Sequence, residues 1–172
     1  MQKVNSLVLG DPLDAKTTIG PLVNGAAVEK VDRHVQDAVS KGAEIATGGA
    51  AAQGQGHYYQ PTVLTGVTDA AAISTEETFG PIAPLYSFSS EEEVIARAND
   101  VDVGLAGYVY TQDVGRVHRV SEALAVGMVA VNTGVVSQPC IPFGGVKASG
   151  FGREGGRSGI DEYMVGKVRN NK

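Results

Sequence analysis

Apolar residues recur at helical spacing in three stretches of the chain, and the first stretch is the longest. Its apolar positions, each three or four residues from a neighbour on the same face, are Val28, Val31, Val35, Ala38 and Val39. Residues at this spacing share one face of an α-helix. Asn24 stands where a side chain can cap the first turn, and Gly42 is of the type that commonly ends a helix. The pattern predicts a helix from about Asn24 to Lys41.

Two further helices are predicted later in the chain. Ser90 and Glu93 form a capping box, in which the serine hydroxyl accepts from the third helical amide and the glutamate reaches back. This helix is predicted to run to about Asn99. The last is predicted from about Asp113 to Leu124, with its end set by Gly127.

Short apolar runs between the helices predict β-strands. They cover residues 43–47, 61–64, 84–88, 104–110 and 128–131. The last run is apolar throughout, which is typical of a strand covered on both faces. Strands and helices alternate, so the sequence favours an α/β fold with a parallel, helix-covered sheet. Residues 1–22 are expected to be an extended lead-in, and residues 161–172 one exposed strand.

Composition excludes several classes of protein. The chain has 172 residues and a formal net charge of -5, with no basic run, so a nucleic-acid or anionic-membrane surface is not expected. No apolar run approaches the roughly 20 residues of a membrane span. The single cysteine, Cys140, excludes an internal disulfide and favours a cytoplasmic location.

Three candidate sites are better explained by ordinary roles. The G-x-G-x-x-G pattern at residues 150–155 follows a loop and stands near the end of the chain, so it is not a dinucleotide fingerprint. Cys140 lies between prolines, which offer no amides, and is predicted to be a loop thiol rather than a nucleophile. The three histidines, His34, His57 and His118, have no other ligand type at metal-binding spacing, so no metal site is predicted.

Two other segments carry possible chemistry. In the segment at residues 76–81, EETFGP, a carboxylate could accept from both hydroxyls of a ribose, and an aromatic ring could pack beside that sugar. Taken alone, a solvated acidic turn explains this segment better. In the glycine-rich loop at residues 132–154, Phe143 suits a pocket wall and Ser137 could bind a polar substrate tail. A binding site and a structural crossover explain this loop equally well.

Taken together, these segments resemble the aldehyde dehydrogenase superfamily, over nearly the whole chain and in the family's order. The two most specific motifs are E-E-x-F-G-P at residues 76–81 and P-F-G-G-x-K-x-S-G-x-G-R-E at residues 142–154. Supporting matches are Gly10-Asp11-Pro12, Gly20-Pro21-Leu22, Gly48-Gly49, Gln60-Pro61-Thr62-Val63, Ala98-Asn99 and Gly104-Leu105-Ala106. Residues 132–137 and 159–163 most resemble the succinate-semialdehyde dehydrogenase branch.

The resemblance implies the C-terminal part of the catalytic domain over residues 1–160 and a remnant of an oligomerisation strand over residues 161–172. It implies an enzyme that oxidises a small aldehyde with NAD or NADP as acceptor, and succinate semialdehyde is the best-matching substrate. In the family a cysteine thiolate attacks the aldehyde, hydride passes to the nicotinamide, and a glutamate activates the water that releases the acid.

Site residues follow from the same resemblance, motif by motif. Glu77 matches the carboxylate that holds the nicotinamide-side ribose, and Phe79 matches the aromatic residue beside it. Positions lining the substrate entrance are matched by Val135, Ser137 and Phe143, with Ser137 expected to bind the distal carboxylate. Glu154 matches a glutamate of a proton relay. We therefore expect the segments that bear Glu77 and Phe143 to face one cleft.

Other family features lie upstream of the matched region or differ here. The nucleophilic cysteine, the general base, the oxyanion-hole asparagine and the Rossmann half precede this region in the family, so the isolated chain is expected to be inactive. The family assembles as homo-oligomers, but Val165 replaces an acidic residue that usually pairs with arginines, so Arg153 is expected to lack that partner. A non-catalytic α/β interaction module and a truncated gene product remain alternatives.

Overall fold

The structure is a computed structural model that describes residues 2–54 and 56–170. The chain divides into two compact units, one ending at Ser87 and the other beginning at Phe88. Each unit contains short strands and helices of its own. No helix in the described part of the chain is both long enough and apolar enough to cross a membrane.

The first unit is built around one long helix. Its elements are α1 (Gln2–Asn5), α2 (Gly25–Ser40), β1 (Glu44–Thr47), β2 (Thr62–Thr65), a 3-10 turn (Ala72–Ser74) and β3 (Ile82–Pro84). The predicted cap of α2 is confirmed, because the Asn24 side chain accepts from the amide of Ala27 at 2.9 Å. Gly42 follows the helix with a φ of 97°, a conformation that favours glycine.

One face of α2 supplies the core of the first unit. Val31, His34, Val35 and Ala38 are buried at helical spacing, as the sequence predicts for the three apolar residues. The helix packs in a cluster with buried residues from the strands and connections, namely Ala43, Tyr59, Leu64, Val67 and Ala71. Burial of this apolar stripe holds α2 against the sheet and fixes the position of His34.

Up to residue 170, the second unit has two α-helices, one 3-10 helix and two pairs of strands. Its elements are α3 (Glu91–Asn99), β4 (Val103–Gly104), β5 (Ala106–Val109), α4 (Val114–Ala123), β6 (Met128–Val131), β7 (Val146–Lys147) and a 3-10 helix (Ser158–Tyr163). The predicted N-cap of α3 is confirmed, since Ser90 accepts from the amide of Glu93 at 3.1 Å. Glu93 reaches back one residue further than predicted, to the amide of Ser89.

The predicted parallel, helix-covered sheet is confirmed in part, because the sheets are small and mix parallel with antiparallel pairs. β2 pairs in parallel with β3, and β5 pairs in parallel with β6. However, β1 is antiparallel to β2, and β4 is antiparallel to β7. The described residues between β1 and β2 form no helix, and an antiparallel pair does not need the crossover that a parallel pair requires.

Two predicted element boundaries are also wrong. The strand expected over residues 84–88 is β3, Ile82–Pro84, and the ladder to β2 continues only through the amide of Leu85 to Leu64. The strand expected over residues 104–110 is divided into β4 and β5 by Leu105. The predicted bounds of α4 are confirmed, since the helix runs from Val114 to Ala123 with Asp113 and Leu124 as its caps.

The lead-in and the C-terminal segment also differ from expectation. Residues 2–5 form a helical turn within the predicted extended lead-in. The strand predicted from Asp161 is wrong over the described residues: Ser158–Tyr163 is a 3-10 helix, and residues 164–170 have no regular secondary structure. These residues are exposed and pair with no other strand in the described chain, and a strand needs such a partner. The last two residues of the predicted strand lie outside the described residues.

Candidate functional site

The segment at residues 76–81 forms an exposed turn between the 3-10 turn and β3 in the first unit. The side chain of Glu77 is exposed, and its carboxylate makes no hydrogen bond or ion pair within the described chain. Phe79 is 82 % exposed. The two residues that the sequence assigns to cofactor binding therefore present a free carboxylate and a free ring from one short segment.

Two side chains of α2 hold this turn in place. The ring of His34 contacts Glu76 through Nε2 at 3.1 Å and Thr78 through Nδ1 at 2.9 Å. The hydrogen bond to His34 holds the pKa of the Glu76 carboxyl below its usual value, and the charge of Arg33 acts in the same direction. Asp37 accepts from the amide of Ala72 at 2.7 Å and so anchors the preceding 3-10 turn.

Phe79 has a backbone conformation that non-glycine residues rarely adopt. Its φ is 45°, in the left-handed region, which costs about 1–3 kcal/mol. The ring is exposed, so burial of the phenyl group does not compensate for this strain. Strained residues that the surroundings maintain tend to lie at functional sites, and this observation supports a binding role for the turn.

An apolar cavity of about 380 Å³ lies beside Phe79 in the same unit. Its other lining residues come from the segment 19–23, from Tyr59 and from Gly80-Pro81. Tyr59 is buried, which raises the pKa of its phenol, and its hydroxyl donates to Asp32 at 3.1 Å. Tyr59 therefore stays neutral near pH 7 and acts as part of the cavity wall.

In the second unit, the candidate substrate loop begins at the end of β6. Asn132 has a φ of 55°, and its side-chain amide exchanges two 2.9 Å hydrogen bonds with the backbone of Thr111. The loop then runs outward: Val135 is 61 % exposed, and Ser137 is exposed with no hydrogen-bond partner for its hydroxyl within the described residues. Cys140 is an exposed loop thiol, as the sequence predicts.

A backbone bridge joins Phe143 to Glu154. The amide of Phe143 donates to the carbonyl of Glu154 at 2.7 Å, and the amide of Glu154 donates back at 2.9 Å. The structure thus brings together a predicted pocket-wall residue and the predicted proton-relay residue. The phenyl ring of Phe143 is half-buried, whereas the Glu154 carboxylate is exposed and has no partner among the described residues.

Arg153 closes the same loop, and the expectation that it lacks a partner needs correction. Its Nη1 donates to the carbonyls of Gly145 at 2.8 Å and Gly152 at 2.7 Å. Its amide donates to the Glu162 carboxylate at 3.2 Å. The two backbone carbonyls therefore provide partners for the guanidinium, which the prediction based on Val165 alone left unpaired.

Lys147 has a structural role in the motif that follows Phe143. Its Nζ donates to the carbonyls of Asn99 at 2.8 Å and Val101 at 2.9 Å, at the C-terminal end of α3. A cation at this end of a helix is favourable, because the last carbonyls have no partner within the helix. The motif lysine thus ties the loop to α3 rather than offering a charge to a ligand.

The six predicted site residues form two groups, one in each unit. Glu77 and Phe79 lie in the first unit, and Val135, Ser137, Phe143 and Glu154 lie in the second. The expectation that both groups face one cleft stays a prediction. Among the described residues, no three His, Cys, Asp or Glu side chains are grouped so as to hold a metal ion.

Sequence reasoning missed the contacts of His34 with the turn. The helical spacing places His34 on the buried face of α2, which was a usable signal. Its partners, however, are 42 and 44 residues away, and no local pattern connects them.

Comparison with known proteins identifies the family to which the chain belongs. The family model described as the aldehyde dehydrogenase family matches residues 1–168. The chain therefore belongs to this family.

Several individual relatives that the chain resembles are semialdehyde dehydrogenases. The chain is 52 % identical over 163 residues to the NADP-dependent succinate-semialdehyde dehydrogenase of Escherichia coli, covering 95 % of this chain and 34 % of that one. It is 52 % identical over 161 residues to a glutarate-semialdehyde dehydrogenase of Pseudomonas putida, covering 94 % and 33 %. The crystal structure of a succinate-semialdehyde dehydrogenase from Burkholderia pseudomallei superposes with a TM-score of 0.93 at 51 % identity, covering 95 % and 34 %. The chain thus spans about a third of the length of these relatives.

Proposed function

We propose that this chain supplies the C-terminal part of an NAD(P)-dependent dehydrogenase that oxidises succinate semialdehyde to succinate. The observation that supports this most is the exposed, unpaired Glu77 beside the strained, exposed Phe79, in a chain about half identical to semialdehyde dehydrogenases. A non-catalytic module would gain nothing from maintaining this strain.

The first unit has groups that fit a dinucleotide. The Glu77 carboxylate is free to accept from two ribose hydroxyls, and the Phe79 ring is free to pack against the attached ring. When bound, the nicotinamide accepts the hydride that leaves the substrate. Glu77 and Phe79 would orient the nicotinamide ring, since a small displacement of a reacting ring lowers the reaction rate.

The second unit has groups that fit an aldehyde carrying a distal carboxylate. The unpaired hydroxyl of Ser137 can donate to that carboxylate, and Val135 and Phe143 can line the path of the carbon chain. We assign Glu154 to proton transfer with solvent, since its carboxylate is exposed and its backbone is fixed to Phe143. Glutarate semialdehyde is a second candidate substrate, because the Pseudomonas relative acts on a chain one methylene longer.

A chimera tests this proposal. This chain replaces the matching third of the E. coli relative, and NADPH formation is followed with succinate semialdehyde and NADP. We expect activity from the chimera and none from the 172-residue chain alone. Glu77→Gln should raise KM for NADP by roughly 10- to 100-fold, because bonds to a charged acceptor are lost. Glu154→Gln should lower kcat with little change in that KM.

Paired substrates test the role of Ser137. Ser137→Ala in the chimera should raise KM for succinate semialdehyde roughly tenfold or more and leave KM for butanal unchanged, since butanal has no carboxylate to bind. A folded chimera without activity would contradict the enzymatic proposal and favour a non-catalytic module. A higher kcat/KM for glutarate semialdehyde than for succinate semialdehyde would reassign the substrate.

A further inference from the structure

His34 is a fully buried ionisable side chain that the proposed reaction does not use. Its exposed fraction is 0 %, and it lies on the core face of α2 between Val31 and Val35. Both ring nitrogens are nevertheless occupied by polar partners from the turn at residues 76–81. Aliphatic residues would suffice if this face of α2 served packing alone. A buried histidine with two polar contacts therefore indicates a further role for this position.

The contacts of His34 alternate with the proposed cofactor residues. His34 contacts Glu76, which is partly exposed, and Thr78, which is half-buried, whereas the residues that follow each of them, Glu77 and Phe79, are exposed and have no such contact. The contacts with His34 occupy Glu76 and Thr78 and leave Glu77 and Phe79 free to reach a ligand.

A second contact with α2 holds the far end of the turn. A Cβ placed on Gly80 would lie 2.5 Å from Cγ2 of Val31, so the backbone of Gly80 packs directly on the helix one turn before His34. Phe79 thus stands between a hydrogen-bonded residue and a residue in close contact. This double attachment explains how a phenylalanine keeps a φ of 45° while its ring stays exposed.

Both ring nitrogens of His34 face a group that can complete a hydrogen bond. An ionised carboxylate only accepts, so Nε2 of His34 carries the proton that is donated to Glu76. Nδ1 can then accept from the hydroxyl of Thr78. Arg33, with its Nη2 3.7 Å from the same Glu76 carboxylate, adds a charge that favours the ionised acid.

We propose that His34 is a positioning residue for cofactor binding, which clamps Glu76 and Thr78 against α2 and so presents Glu77 and Phe79 to the ribose and nicotinamide ring. The identity of the ligand in this inference rests on the proposed function. The contacts of His34 with Glu76 and Thr78 do not depend on it. The two can therefore be tested separately.

The first experiment tests the clamp in the 172-residue chain. The chain contains no tryptophan, so Phe79→Trp provides a single fluorescent reporter in the turn. Thr78→Val should lower the fluorescence anisotropy of this reporter, because it removes the hydroxyl and leaves Nδ1 of His34 without a partner. Thr78→Ser, which keeps the hydroxyl, should restore the original anisotropy.

A core substitution separates the clamp from general stability. Val35→Ala removes buried volume from α2 one residue away from His34 and should lower Tm without changing the anisotropy. Equal anisotropy in the Thr78→Val and unsubstituted backgrounds would overturn the proposal. A loss of anisotropy that Val35→Ala reproduces would also overturn it, since the effect would then be that of a destabilised core.

The second experiment uses the chimera with E. coli sequence, without the tryptophan reporter. Thr78→Val should raise KM for NADP roughly 3- to 10-fold, the effect of one lost hydrogen bond, with KM for succinate semialdehyde unchanged. Thr78→Ser should keep both values. An inactive unsubstituted chimera would count against the proposed function alone, whereas an active chimera in which Thr78→Val leaves KM for NADP unchanged would refute the positioning role.

Discussion

Gly80 shows at the scale of one residue how the turn is fixed to its helix. The site of a Cβ on Gly80 is occupied by Val31, which is fully buried and has a stiff, β-branched side chain. The backbone of Gly80 has no positive φ, so conformational freedom is not the reason for glycine here. Glycine is needed here because the turn lies directly on α2, where a side chain on residue 80 would overlap Val31.

Gly80→Ala should therefore destabilise the chain by about 1–3 kcal/mol, the usual cost of overpacking. The free energy of unfolding by urea measures this effect. Gly166→Ala is the matched control, since no atom lies within 4 Å of its Cβ position, and it should change stability by less than about 0.5 kcal/mol. Equal stability of the two variants would mean that the turn is not held on Val31.

At the scale of elements, Glu91 joins the two helices of the second unit. It lies in the first turn of α3 and accepts from Arg116 and Arg119 of α4, each through Nε at 2.8 Å. The hydrogen bonds from Arg119 and Arg116 lower the pKa of Glu91 from 4.5 to about 2. The position at a helix N-terminus favours the same ionised form.

The direction of that pKa shift predicts a pH dependence. A carboxyl whose pKa is lower in the folded chain stabilises it above pH 4.5, and this contribution is lost as the pH falls from 4.5 towards 2. Glu91→Gln should lower the free energy of unfolding at pH 7, and the difference from the unsubstituted chain should shrink below pH 4.5. Glu92→Gln, at the exposed neighbouring position, is the control variant, since it leaves the contacts of Glu91 with Arg116 and Arg119 in place.

Helices were predictable from the sequence and strand pairing was not. The caps Asn24 and Ser90 act within three residues, so a local pattern contains the whole interaction. The alternation at residues 84–88 identifies a half-buried segment, but only Ile82–Pro84 finds a partner strand. Antiparallel pairing of β4 with β7 depends on a loop that returns from residue 146, which no local pattern encodes.

The same difference between local patterns and long-range contacts applies to the candidate site. Glu77, Ser137 and Glu154 were identified as candidates because motif resemblance depends on residue identity alone, and their roles stay predictions. The groups that hold them were not predictable, because His34 with Thr78, and Arg153 with Gly145, are contacts that the fold creates.

At the scale of the whole molecule, the chain spans about a third of the length of the relatives it matches and contains two groups of predicted site residues. The account of its function requires that these groups, one in each unit, serve a single reaction. Each unit positions its own group by internal contacts: the first through α2, and the second through the bridge between Phe143 and Glu154.

A crystal structure of the active chimera with bound NADP is the most direct test of this account. We predict that the Glu77 carboxylate accepts from the ribose hydroxyls next to the nicotinamide and that Phe143 lines the same cleft. Glu77 turned away from the ribose, or Phe143 on the opposite side of the molecule from the nicotinamide, would contradict the central claim.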